Sequence, residues 1–146
     1  MDGTPQEAKF SISSSFENVA NLALEVSQLC SEQPGMDPEA TDLLRLCVAE
    51  ALNNIVEHAY DGAEGRPIFA DVKFAPDKLE VLLIDEGKAM PKGQVPTGER
   101  EIDFDDLDSL PEGGFGWMLI NTQMDDVDYE RREGCNVLRL GKNLVA

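Results

Sequence analysis

Between Pro38 and Tyr60 the chain carries one long amphipathic pattern, and no other segment narrows the choice of fold as much. Leu44, Val48, Ala51, Leu52, Ile55 and Ala59 recur at helical spacing, which predicts a face buried on a core. Glu50, Asn54 and His58 stand four residues apart. Each step of four advances about 40° around a helix, so the three side chains form one ridge beside that face. Asn is a weak helix former because its side chain competes for backbone groups. Asn53 and Asn54, adjacent in mid-helix, therefore need a reason. A carboxylate, a carboxamide and an imidazole along one edge suit metal and phosphate chemistry. The same residues also read as a solvated polar face.

The remaining segments alternate cleanly. Asp37-Pro38 predicts the start of that helix, a cap followed by proline at the first helical position, and Asp61-Gly62 its close. Upstream, Ala8 to Ser13 predicts a strand. Phe16 to Ser31 predicts a helix opened by a capping box of Ser14 and Glu17. Pro67 to Phe74 and Lys78 to Ile84 predict a hairpin around Ala75-Pro76-Asp77. Asp85 to Gly113 is rich in Gly and Pro and predicts a long loop of the kind that carries function. Phe115 to Met124 predicts a helix opening on glycines. Asp125 to Arg132 and Cys135 to Leu140 predict a final hairpin around Glu133-Gly134. This order predicts a single domain over 1–146, an α/β (α+β) two-layer sandwich with helices on one face of a mixed sheet.

Charge narrows the partners. The formal net charge is -17, from 29 acidic and 12 basic residues. Such a surface disfavours direct nucleic-acid binding and anionic membranes. A nucleotide site here has to rely on a divalent cation, backbone N–H groups and a few local bases. No apolar run reaches the roughly eighteen residues of a membrane span. Met1 to Phe10 lacks an apolar signal segment, so a cytoplasmic location is expected. Cys30, Cys47 and Cys135 have no paired metal spacing, and the first two read as buried thiols.

Two further motifs are weak alone. Asp85-Glu86-Gly87 ends a predicted strand, where a carboxylate can accept from an exocyclic amine and a glycine admits a ring; an ordinary turn reads the same way. Gly113-Gly114-Phe115-Gly116 opens a predicted helix and frees N–H groups for an anion, or is a flexible turn. His58, the single histidine, fits a structural role near a helix end as well as a catalytic one.

Their order is more specific. Glu50-x-x-x-Asn54-x-x-x-His58-Ala59-Tyr60, then Asp85-x-Gly87 after a hairpin, then Gly113-Gly114-Phe115-Gly116-Trp117-Met118-Leu119-Ile120, resembles the histidine-kinase-like (Bergerat) ATPase superfamily. The match is nearest to its bacterial anti-sigma factor serine kinases and runs from about Phe10 to Leu144. The chain departs from the family's frequent Asp-x-Gly-x-Gly at Ala89. The resemblance implies ATP with Mg²⁺. It implies Asn54 as the metal ligand, Glu50 as the general base and His58 within the nucleotide motif. Asp85 would hold the adenine amine beside Gly87, and Gly114, Phe115 and Gly116 would form the phosphate loop. Arg100, Lys88 and Lys92 are the nearest bases. Glu101, Asp103, Asp105, Asp106, Asp108 and Glu112 make the intervening lid acidic.

The implied activity is phosphorylation of a serine on a STAS-domain anti-anti-sigma partner, with sequestration of a sigma factor, in a protein that forms a homodimer. The alternative is a partner-switch binding module with weak or no ATP turnover. It draws on the acidic lid and on the ease with which such a surface steers onto a basic partner.

Overall fold

The first two helices each begin where a side chain satisfies a free N–H group of the first turn. The computed structural model describes residues 6–95 and 114–144. After strand β1 (Gln6–Ser13), helix α1 runs Phe16–Cys30 and is capped by Ser15, whose Oγ accepts from Asn18 N at 3.0 Å. Ser14 is not the cap that the sequence suggested. It is buried, donating to Ala63 O at 2.6 Å and accepting from Arg66 N at 3.0 Å. A hydroxyl drawn inward to satisfy two backbone groups is no longer free to cap, and the next serine does so.

Helix α2 spans Pro38–Asn54, with Asp37 Oδ1 accepting from Ala40 N at 2.7 Å and proline in the first turn. The chain then stays helical but loosens into one π-helical turn, Ile55–Ala59, marked by Tyr60 N donating to Ile55 O at 3.0 Å. Strands β2 (Pro67–Ala75) and β3 (Lys78–Asp85) form the first hairpin. Helix α3 (Gly114–Gln123) leads into β4 (Asp126–Arg132) and β5 (Cys135–Asn143). These two close on Glu133 and Gly134, both at positive φ, the geometry of a type I′ turn.

The strands form one sheet in the order β1-β2-β3-β5-β4. The expected α/β sandwich is borne out, but every ladder is antiparallel, where a mixed sheet was expected. Two helices between β1 and β2 return the chain reversed. β4 runs in the direction of β3, yet β5 inserts between them, so no parallel pair meets among the described residues.

One face of this sheet carries the core. Ile68, Ala70 and Val72 of β2, Val81 and Leu83 of β3, and Leu138 and Leu140 of β5 alternate inward. Against them lie Val19, Leu22 and Val26 of α1 and Leu44, Val48, Ala51 and Leu52 of α2. Trp117 and Ile120 of α3 join the same core. Cys30 and Cys47 are buried as expected, and desolvation pushes their thiols up to about 12 and about 11. Among the described residues no helix is long and apolar enough to cross a membrane.

Candidate nucleotide site

Glu50 lies one turn before the end of α2, half-buried, with its carboxylate against the first turn of α3. A β-carbon on Gly116 would stand 2.6 Å from Glu50 Oε2, so this approach requires glycine. Cys47 Sγ, 3.9 Å from Leu119 O, brings the same two helices together one turn earlier. Beside Glu50 a cleft of about 360 Å³ opens along Gly116, Met118, Leu119, Thr122 and Gln123. Gly114 and Phe115 occupy the start of α3.

Asn54, one turn beyond Glu50, is half-buried, and its Nδ2 is buried without a hydrogen-bond partner among the described residues. His58 departs from the expected ridge. The π-helical turn bonds each N–H to the carbonyl five residues back, so it holds an extra residue and changes the angular step after Asn54. The His58 side chain is 69% exposed, its Nε2 3.7 Å from Glu57 Oε2.

The π-helical turn also joins the helix motif to Asp85-Glu86-Gly87. Ala59 O accepts from Lys88 N at 2.9 Å. A β-carbon at Gly87 would fall 2.4 Å from that same oxygen and 2.6 Å from its carbon. Gly87 thus clears a path for the helix end. Tyr60 completes the junction, accepting from Glu86 N at 2.7 Å and donating to Pro67 O at 2.5 Å beneath the Arg66 guanidinium.

Asp85 is 3% exposed. Burial raises its pKa, while bonds from Asn136 and Gly87 and the charge of Arg131 act against that rise. Its Oδ1 accepts from Gly87 N and from Asn136 Nδ2, each at 2.8 Å. Its Oδ2 accepts from none of the described residues.

Sequence reasoning gave no role to four residues here: Tyr60, Tyr129, Arg131 and Asn136. Asn136 had a legible signal, a polar residue in the inward phase of β5 with Leu138 and Leu140. Lys88 Nζ pairs with Asp61 Oδ1 at 2.7 Å on the surface. Lys92 lies in a short 3-10 turn, Pro91–Gly93. Gly113, Arg100 and the acidic lid positions Glu101, Asp103, Asp105, Asp106, Asp108 and Glu112 fall outside the described residues.

Comparison with known proteins decides the family. The histidine kinase-like ATPase domain matches residues 12–142. The chain belongs to that family. Serine-protein kinase RsbW of Listeria innocua is 34% identical over 126 residues, which cover 84% of this chain and 78% of that protein. The serine-protein kinase RsbW of Bacillus pumilus is 31% identical over 129 residues, 83% of this chain and 76% of that protein. The one from Halalkalibacterium halodurans is 29% identical over 131 residues, 89% and 79% respectively. The resemblance drawn from motif order is borne out, down to the serine-kinase branch.

Two observations bear on whether this histidine kinase-like ATPase domain suits ATP with Mg²⁺. Among the described residues no group of three His, Cys, Asp or Glu could hold a metal ion. Magnesium does not need such a cage, since it keeps several waters and takes one or two protein oxygens plus phosphates. Asn54 offers one carboxamide oxygen of that kind. Its orphaned Nδ2 is a buried donor that a phosphate oxygen would satisfy. The residues present fit the group.

Proposed function

We propose that this ATPase domain transfers the γ-phosphoryl group of ATP to a serine of a STAS-domain anti-anti-sigma partner. It would hold a sigma factor while that partner is phosphorylated. The observation that carries the reading is the placement of Glu50. Its carboxylate sits against Gly116, one helical turn from Asn54, and borders an open cleft. A serine hydroxyl entering from that cleft would meet a carboxylate able to take its proton as the oxygen attacks phosphorus. Asn54 Oδ1 would hold the Mg²⁺, and the bound ion would neutralise charge developing on the transferred group. Asp85 Oδ2 would accept from the adenine amine. Gly114, Phe115 and Gly116, in the first turn of α3, would offer backbone N–H groups to the phosphates. His58 would act from the rim, given its exposure. A homodimer and a cytoplasmic location belong to the same reading, by resemblance to the family.

Calorimetric titration with ATP, with and without Mg²⁺, is the first test, followed by phosphoryl transfer to the serine protein. Metal-dependent binding that Asn54→Ala removes, with transfer that Glu50→Ala removes, is expected. A folded protein that binds ATP and transfers nothing would instead be a partner-switch binding module.

A further inference from the structure

Asn136 is one of four buried polar residues among those described, and its amide is fully engaged. Nδ2 donates to Asp85 Oδ1 at 2.8 Å and to Lys88 O at 2.7 Å, with Gly87 O at 3.5 Å. Its Oδ1 accepts from Arg131 at 3.0 Å and from the Tyr129 hydroxyl. An amide has two donor hydrogens and two acceptor lone pairs, so nothing is left over.

The direction of this network follows from its ends. A guanidinium can only donate. Arg131 therefore requires the oxygen of the Asn136 amide to face β4 and the nitrogen to face Asp85. Tyr129 enforces the same sense. Its oxygen accepts from Met90 N at 3.0 Å, so its single proton goes to Asn136 Oδ1. Arg131 also donates to Gly87 O at 2.6 Å. The final hairpin thus grips the segment after β3 at Gly87, Lys88 and Met90.

The consequence falls on Asp85. Asn136 and Gly87 both donate to Oδ1, and among the described residues nothing donates to Oδ2, which stays an acceptor. We propose that Tyr129, Arg131 and Asn136 form a clamp that fixes Asp85 as an acceptor and thereby selects a base carrying an exocyclic amine over one carrying a carbonyl. They are positioning residues, acting through Asp85 and the Gly87–Met90 segment. The inference rests on Asp85 being the base-binding carboxylate of the proposed kinase.

The test compares ATP with inosine triphosphate, which differs at the base by a carbonyl in place of the amine. Wild type, Tyr129→Phe and Arg131→Met are titrated with each nucleotide. Arg131 is on the surface and Tyr129→Phe keeps the ring, so both variants should fold. Wild type is expected to prefer ATP, and each variant to lose about tenfold of that preference. A variant that only loosens the fold would weaken both nucleotides together and leave the ratio unmoved. An unmoved ratio, with wild type still preferring ATP, overturns the clamp and leaves the kinase reading intact. A folded wild type that binds neither nucleotide overturns both.

Discussion

Glu50 and Gly116 touch across two helices, the carboxylate lying where any side chain on residue 116 would begin. The contact fixes the distance between the proposed base and the helix start that would meet the phosphates. Gly116→Ala should separate stability from activity. Alanine adds roughly 0.8–1 kcal/mol of helix propensity. The clash is with the far end of a flexible side chain, which can swing away. Melting temperature is expected to stay near that of wild type, while phosphoryl transfer falls at least tenfold, on the order of 1.4 kcal/mol in the barrier. A transfer rate equal to wild type would remove Glu50 from the reaction.

Gly87→Ala should fail differently. There the new β-carbon would meet Ala59 O at 2.4 Å and Ala59 C at 2.6 Å, both backbone atoms at the end of a helix. Nothing flexible can yield. Urea unfolding should show a loss of about 1–3 kcal/mol, the usual cost of overpacking. A loss under half a kcal/mol, by contrast, would mean that the junction between the two motifs is soft.

On the proposed reading, Asp85 links stability and ATP binding with opposite signs. Its folded-state pKa is raised, with burial the largest cause. Protonation therefore favours the folded state. Its stabilising contribution is present below the ordinary Asp range near 4 and is lost as pH rises through the raised value. ATP binding should run the other way, since the amine needs the ionised acceptor. Unfolding free energies of wild type and Asp85→Asn, measured across this range, should diverge to the disadvantage of wild type as pH rises. Parallel curves would show that burial at Asp85 is fully compensated in the folded chain.

Asn54 offers a similar separation of roles. Its Nδ2 is buried and has no partner among the described residues, a group that costs about 1–3 kcal/mol to desolvate. Asn54→Ala removes that orphan together with some packing. The variant is expected to unfold within about 1 kcal/mol of wild type and to lose Mg²⁺-dependent ATP binding. A variant that keeps metal-dependent binding would assign the ion to other ligands.

The hairpins and the helix starts were legible because short alternating runs and capping residues act locally. Pro67 to Ile84 paired as its pattern required, and Asp37-Pro38 opened α2. The π-helical turn was hidden. Ile55, Val56, Ala59 and Tyr60 are all at least partly buried, and such spacing is compatible with an ordinary helix until the bonding pattern is seen. His58 was therefore placed on a ridge that it leaves. Ser14 was misjudged for a related reason. Two serines in succession can each cap, and only the loop at Ala63 and Arg66, distant in sequence, decides which one is drawn inward. Asn136 was missed because a strand's alternation marks a position as inward without saying what an amide would find there.

Counted along the chain, the turn at Ile55–Ala59 amounts to one residue inserted into an otherwise regular rod. Deleting one residue there would make a better helix by every local criterion. It would also rotate all that follows by about 100° and carry the Ala59 carbonyl away from Lys88 N. Regularity and assembly are in conflict over these five residues. The irregular solution ties the helix bearing Glu50 and Asn54 to the strand end bearing Asp85, through the Ala59 carbonyl and the Tyr60 hydroxyl.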